Sequence, residues 1–138
     1  MTTAHHLELM LLPHRYAIFR LPPHERPSFV WPTLADGAGF ISITHTPEEL
    51  SGVCEESSLP LNVTAQRGRR LFRVRGPLKF SIVGILASLT GPLAEAGVSI
   101  FSISTYDTDY LLLAEQDLEL GIATLERAGH TVHRSQDE

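Results

Sequence analysis

The sequence contains a single cysteine, Cys54, so no disulfide can form within the chain and no cysteine cluster can hold a metal. Scarce cysteine is typical of a reducing compartment, and we expect a cytoplasmic location. No run approaches the roughly 20 apolar residues that a helix needs to cross a bilayer, so we expect no membrane partner. Glu8 interrupts the short apolar run at residues 7–12, which does not fit a secretion signal.

Lysine is almost absent, since Lys79 is the only one, and the formal net charge is −5. An acidic chain lacks the electrostatic attraction to phosphates that supports nucleic-acid binding, so we expect no nucleic-acid partner. The basic residues concentrate in one segment, at Arg67, Arg69, Arg70, Arg73 and Arg75. We interpret this cluster as a solvated strand face whose charge discourages edge pairing. A site for nucleic acid or for an anionic ligand is the alternative.

Motifs for catalysis or cofactors are missing as well. The sequence has no phosphate-binding loop, dinucleotide fingerprint or serine-nucleophile motif, and we expect no cofactor. A nucleophilic pair of Cys54 with His45 would need a third orienting group, so we expect Cys54 to be a small buried residue on a helix. Four histidines could suggest a metal: His5, His6, His130 and His133. They lack partners at the spacing of a four-ligand site, and we expect no metal.

The first half, residues 1–64, is rich in proline and irregular. Apolar runs at 7–12 and 16–21 predict two strands that form a hairpin, and alternation over 40–44 predicts a third strand. A threonine followed by proline and two acidic residues predicts a helix over 46–54. Trp31 is expected in the core or at an interface.

The second half alternates regularly between two periodicities. Apolar spacing of the helical kind marks two segments that end at Gly97 and Gly129, and strand-like runs surround them. The predicted strands are 69–75, 98–105, 110–114 and 131–133, and the predicted helices are 81–97 and 116–128. The order βαββαβ predicts an α+β, ferredoxin-like sandwich with an antiparallel sheet and both helices on one face. Pro92 should remove one hydrogen bond from the first helix.

Three segments carry a family resemblance: GPLKFSIVGILASL at 76–89, LAEAGVSIFSIST at 93–105 and DTDY at 107–110. They resemble the opening loop and first helix, the second strand, and the hairpin of an ACT domain. The match is to the subgroup that includes the regulatory tandem of aspartate kinases and the CASTOR arginine sensors, and to small bacterial proteins with two ACT-like units. The resemblance implies a divergent N-terminal ACT-like unit at 1–64, a C-terminal ACT domain at 65–138, and a homodimer.

In ACT domains, amino acids bind where two units meet. The resemblance therefore implies ligand-binding residues at the loop and helix start, on the second strand and at the hairpin: Ser81, Val83, Gly84, Ile85, Leu86, Ser102, Ile103, Ser104, Thr105, Asp107 and Asp109. The physics agrees, because the unpaired N–H groups at a helix start attract a carboxylate. The alternative is that Gly84 only relieves helix packing and that both serines face solvent.

We therefore expect a regulatory sensor of an amino acid or a similar small molecule, without catalytic activity, that acts through an unidentified protein partner. A ligand-free interaction or dimerisation module is the first alternative. A small ferredoxin-like enzyme of the acylphosphatase type is the second. That enzyme would need a suitably placed asparagine, and the only one, Asn62, lies outside the regular half.

Overall fold

A computed structural model describes residues 5–29, 39–76 and 83–134, so Trp31 and Ser81 lie outside the described residues. The chain divides into two compact units. One, here called the C-terminal unit, comprises Met1–Pro13 and Arg70–Glu138. The other, here called the inserted unit, comprises His14–Arg69. The sequence-based division at residue 64 places the first thirteen residues with the N-terminal unit, whereas in the structure they group with the C-terminal one.

The described residues form eight strands and two α-helices. In chain order they are β1 (Glu8–Leu11), β2 (Tyr16–Leu21), β3 (Ser42–His45), β4 (Leu50–Glu55), β5 (Thr64–Val74), α1 (Ile85–Glu95), β6 (Ile100–Ser104), β7 (Asp109–Ala114), α2 (Leu118–Arg127) and β8 (Thr131–Arg134). Single turns of 3-10 helix at Glu56–Ser58 and Glu115–Asp117 follow β4 and β7.

The sheet of the C-terminal unit has the order β6-β7-β5-β1-β8. β1 runs antiparallel to β5, with Leu9 opposite Val74, and parallel to β8, with Leu9 opposite Val132. The predicted βαββαβ unit is confirmed, with one N-terminal strand inserted between its first and last strands. The predicted hairpin of residues 7–12 with 16–21 is wrong, because β5 and β8 occupy both edges of β1.

Both helices cover one face of this sheet and share one core. Leu89 and Leu93 of α1 pack with Leu125 of α2 and with strand residues such as Leu9 and Leu111. Contact between α2 and β7 is close, since a Cβ placed on Gly121 would lie 2.9 Å from the nearest methyl carbon of Leu113. The α+β class and the placement of the helices are therefore as predicted.

The inserted unit has the strand order β3-β4-β2-β5, with every pair antiparallel. Its core contains Ala17, Phe19, Cys54 and Leu59, and the ring of Phe29 packs edge-on against Phe19 at 5.2 Å between centroids. Glycine is required at position 52, because a Cβ there would lie 2.4 Å from the Ser42 carbonyl oxygen.

The predicted helix over 46–54 is wrong, because that segment forms the turn between β3 and β4 and then most of β4. The Thr46 hydroxyl accepts hydrogen bonds from the amides of Glu48 and Glu49, both at 3.1 Å. The Thr46 amide in turn donates to the Glu49 carbonyl at 2.9 Å. Threonine followed by acidic residues caps helices, and here the same side-chain bonds close a hairpin turn.

His130 joins three parts of the C-terminal unit from a position that is only 4% exposed. The Leu7 amide donates to its Nδ1 at 3.1 Å, so Nε2 carries the proton and donates to the Ser88 carbonyl at 3.0 Å. In an ideal helix that carbonyl would accept from residue 92, which is Pro92 and has no N–H. His130 thus supplies the hydrogen bond that the proline removes from α1.

We predict that His130→Leu lowers the free energy of unfolding by about 2–4 kcal/mol, because the Leu7 amide and the Ser88 carbonyl each lose a buried partner. Urea denaturation measures this change. His24→Leu, at an exposed turn position, is the control and should change stability by less than about 0.5 kcal/mol.

A double-mutant cycle with Pro92→Ala separates the contribution of the Ser88 carbonyl from that of the Leu7 amide. Alanine restores an N–H to position 92, so His130→Leu should cost less in that background. Equal costs in both backgrounds would contradict the pairing of His130 with the carbonyl left open by Pro92.

A second polar cluster joins β1 to β8 and to the residue that follows β5. Arg75 Nη1 and His133 Nε2 donate to the same Glu8 carboxylate oxygen, at 3.2 and 2.8 Å. The hydrogen bond from His133, followed by the positive charge of Arg75, holds the pKa of Glu8 below its ordinary value of 4.5. One carboxylate on β1 thus binds a side chain from β8 and one from the residue that follows β5.

Because the pKa of Glu8 is lowered in the folded chain, the stability of the fold should depend on pH. The unfolded chain protonates Glu8 near pH 4.5 and the folded chain only at lower pH, so the contribution of Glu8 to stability is present above that value. It is lost as the pH falls through the folded pKa.

We predict that Glu8→Gln lowers the Tm at pH 7 and that the difference from wild type shrinks below about pH 4.5. Glu126→Gln, an exposed substitution on α2, is the control. A Tm difference that stays constant from pH 7 to pH 3 would contradict this role of Glu8.

Candidate functional site

The start of α1 presents exposed backbone. Val83 is 87% exposed, and Gly84 follows it at φ 84°, a left-handed conformation that favours glycine. Gly84 is the N-terminal cap of α1, and no side-chain hydrogen bond caps the helix there. Because the first amides of a helix have no partners within it, this end can bind an anionic group.

The hairpin between β6 and β7 lies at the same end of the C-terminal unit. The Thr105 amide donates to the Thr108 carbonyl at 2.8 Å, which closes the turn. The buried Thr108 hydroxyl donates to the carbonyl of Val74 at 2.7 Å. Val74 is the last residue of β5, the strand that precedes α1 in the sequence, so the hairpin lies at the end of the sheet where β5 ends.

Two of the predicted site residues contact each other directly. The Ser104 hydroxyl donates to Asp109 Oδ1 at 2.6 Å, at the position where β6 and β7 pair. Asp107 lies at the exposed tip of the hairpin, and Ser102 is exposed on β6. These groups form an acidic, hydroxyl-bearing edge.

Other predicted site residues point their side chains elsewhere. Ile85 is 8% exposed and belongs to the core, and Leu86 packs against that core. These two residues can therefore offer a ligand only their backbone groups. Ile103 is half-buried on β6. The ligand-binding role of the whole set remains a prediction.

His5 is part of this end of the unit, and the sequence did not indicate it. Its Nε2 lies 2.9 Å from the carbonyl oxygen of Val83. A Cβ placed on Gly84 would lie 3.7 Å from the same nitrogen. The pair of histidines at positions 5 and 6 drew attention only as potential metal ligands, and no local pattern connects residue 5 to residue 83.

The remaining histidines of interest bind protein groups. His6 Nδ1 contacts the carbonyl oxygen of Gly129, and its Nε2 lies 3.3 Å from the Thr131 hydroxyl. Among the residues that the structure describes, no three histidine, cysteine or acidic side chains are grouped so that they could hold a metal ion.

The arginine cluster on β5 is only partly a solvated face. Arg73 and Arg75 are exposed, in agreement with that interpretation. For Arg70 the interpretation is wrong, since its side chain is 11% exposed and lies 3.9 Å from Glu115 Oε1. Arg67 is also engaged, because it donates to the carbonyls of the loop that precedes β5.

Cys54 is buried in β4 rather than on a helix. Burial raises the pKa of its thiol to about 11, with a smaller opposing effect from Arg67. The thiol is therefore protonated at neutral pH and is not an activated nucleophile.

The inserted unit has a cavity of its own, of about 600 Å³. Its lining mixes basic, acidic and apolar groups: His14, Arg15, Glu56, Ser57, Leu59, Leu61 and Arg67. His14 has a φ of 77°, which is unusual for a residue other than glycine. Glu56 already accepts a hydrogen bond from the Gly68 amide at 2.7 Å. The mixed charge favours no one ligand class.

Family models match both halves of the chain. A family model of the ACT domain matches residues 64–127, and a model of an N-terminal domain matches residues 14–62. The bovine cytosolic arginine sensor for mTORC1 subunit 1 is 35% identical over 121 residues, which are 88% of this chain and 34% of the sensor. The human protein of the same name is 34% identical over 119 residues. This chain thus spans about a third of the length of these curated relatives.

None of the helices that the structure describes is long and apolar enough to cross a bilayer.

Solved structures support the same assignment. A crystal structure of a protein from Agobacterium tumefaciens superposes with a TM-score of 0.86 at 38% identity, and the match covers 96% of each chain. The ligand-free regulatory subunit of aspartate kinase from Thermus thermophilus has a TM-score of 0.60 at 13% identity, over 87% of this chain and 96% of that one. The second likeness shows the fold alone. The chain therefore belongs to the ACT domain family, and it is related in sequence to the cytosolic arginine sensors.

Proposed function

We propose that this protein is a regulatory amino-acid sensor whose ligand binds between the loop at residues 83–86 and the hairpin segment at residues 102–109. The observation that supports this most is the start of α1, which lacks a capping side-chain hydrogen bond and begins at an exposed glycine of an ACT domain. Resident anions or capping side chains usually occupy such a helix end.

The α-carboxylate of the ligand would lie at the first amides of α1. Those N–H groups carry the positive end of the helix dipole, which stabilises an anion. Around a Cβ placed on Gly84, only His5 Nε2 comes within 4 Å among the described residues outside its chain neighbours and its own helix. A ligand can therefore approach this backbone closely.

The α-ammonium group would bind the acidic edge of the hairpin. Asp109 accepts one hydrogen bond from Ser104, and an ionised carboxylate has about four acceptor sites, so capacity for an ammonium group remains. Asp107 adds a second negative charge at the exposed tip. A zwitterionic amino acid matches a site with a helix start on one side and carboxylates on the other.

A second copy of the chain would complete the site. β6 pairs only with β7 among the described strands, and Phe101 on it is 43% exposed. An open edge with an exposed aromatic residue favours association with another strand. We propose a homodimer in which ligand binding changes either the association or the contact with a protein partner. Such a sensor works without catalysis, provided that the ligand binds the two states with different affinity.

Arginine is the first amino acid to test, because the relatives at 34–35% identity are named arginine sensors. The word cytosolic in those names and the single cysteine support action in the cytoplasm.

The exposed edge of β6 also favours a second candidate function, which is a dimerisation module without a ligand.

Thermal unfolding in the presence of each of the twenty amino acids separates the two candidates. A ligand at 100 times its Kd should stabilise the folded chain by about 2.7 kcal/mol, and we predict such an effect for at least one of them, with L-arginine tested first. If none of the twenty raises the Tm, the sensor function is wrong and the dimerisation module is favoured.

Two matched glycine variants locate the site. Gly84→Trp should abolish the ligand-induced rise in Tm, because the new side chain fills the space above the helix start. Gly97→Trp carries a similar left-handed strain, at φ 79°, but lies at the far end of α1 and should retain the rise. Circular dichroism checks that both variants fold. An unchanged rise in Gly84→Trp would exclude the start of α1 as the site.

A further inference from the structure

We propose that His5 is a positioning residue for the amino-acid site, because it fixes the Val83 carbonyl and so orients the backbone at Gly84. This inference rests on the proposed function. It concerns the N-terminal segment, His5–Leu7 in this structure, which no sequence motif connects to the ligand loop.

The contact has a defined direction. A carbonyl oxygen only accepts hydrogen bonds, so His5 Nε2, at 2.9 Å from the Val83 oxygen, must carry the proton. Because the peptide bond is planar and trans, fixing the Val83 carbonyl also fixes the N–H of Gly84, which points the opposite way. One side chain thus sets the orientation of the peptide group that precedes α1.

The segment that carries His5 is held by backbone bonds within two residues. The Leu7 amide donates to His130, and the Leu7 carbonyl accepts from the Thr131 amide at 2.9 Å. The next residue, Glu8, accepts a hydrogen bond from the Arg75 amide at 2.8 Å through its carbonyl. His5 therefore extends from a fixed strand, and its ring is placed against the loop by the sheet.

The neighbouring histidine provides a natural contrast. The His6 side chain contacts Gly129 and Thr131, on the turn that leads into β8, and makes no recorded bond to the described loop residues Val83 and Gly84. Both side chains are tied to the same unit, but only His5 reaches the proposed ligand site. Removing either one should perturb the segment to a similar degree, while only the loss of His5 should free the loop.

The energetic role of His5 follows from the flexibility of glycine. Gly84 can adopt many backbone conformations when nothing holds it, and a ligand that requires one of them must order the loop as it binds. A loop that is already held in the binding conformation avoids this loss of entropy. Loss of one hydrogen bond of ordinary strength should therefore weaken binding by about 3- to 10-fold.

Isothermal titration of the full chain tests the proposal, with the amino acid that stabilises the wild type as the probe and L-arginine as the first choice. His5→Ala should raise the Kd by about 3- to 10-fold, whereas His6→Ala should leave it within about 2-fold of the wild type. His5→Gln retains an amide N–H donor at a similar distance from the backbone and should recover most of the affinity.

Hydrogen exchange of the ligand-free protein is a second test, because a purely structural role of His5 would not change exchange rates selectively at the start of α1. The amide of Ser88, which donates to the Gly84 carbonyl at 2.9 Å and closes the first turn of α1, should exchange faster in His5→Ala than in His6→Ala, while the Tm values of the two variants remain similar. If the wild type binds an amino acid and His5→Ala binds it equally well or more tightly, the positioning role is wrong. If no amino acid binds the wild type, the proposed function itself fails, and this inference fails with it.

Discussion

The buried imidazole of His130 connects the parts of the C-terminal unit on which the candidate site depends. Its Nδ1 accepts a hydrogen bond from the amide of Leu7, just before β1. Its Nε2 donates to the carbonyl of Ser88 in the first turns of α1. The second bond compensates for Pro92, which cannot donate to that carbonyl. The entry to β1 and the first turns of α1 are therefore fixed relative to each other, and the chain enters α1 through Val83 and Gly84 at a defined position.

This connection also explains why the N-terminal residues belong to the C-terminal unit. β1 fills the place between β5 and β8, so three parts of the chain that are distant in sequence share one sheet. Buried backbone groups of neighbouring strands require such partners. The arrangement brings His5 to the Val83 carbonyl, close to the glycine at which the ligand site is proposed. Sheet formation and loop geometry are thus consequences of the same pairing.

The sequence predicted the regular half well, because helical and strand periodicities are local and Gly97 and Gly129 end their helices at positive φ, as expected. It failed where the outcome depends on distant partners. The pairing of β1 cannot be read from residues 7–12, and the polar side chain of Thr46 serves a turn as readily as a helix cap. The family resemblance indicated the loop and hairpin, but it could not show that Ile85 and Leu86 turn their side chains into the core. His5 was missed because its contact spans 78 residues.

The central claim is that one end of the C-terminal unit binds an amino acid. The most direct test is a titration of the isotope-labelled chain with L-arginine and then with the other amino acids, followed by NMR of the backbone amides. The account predicts that the largest shift changes fall on residues 83–86 and 102–109, with smaller ones at residues 5–7. Changes confined to the inserted unit, around the cavity lined by His14 and Arg67, would contradict it, as would a spectrum that no amino acid alters.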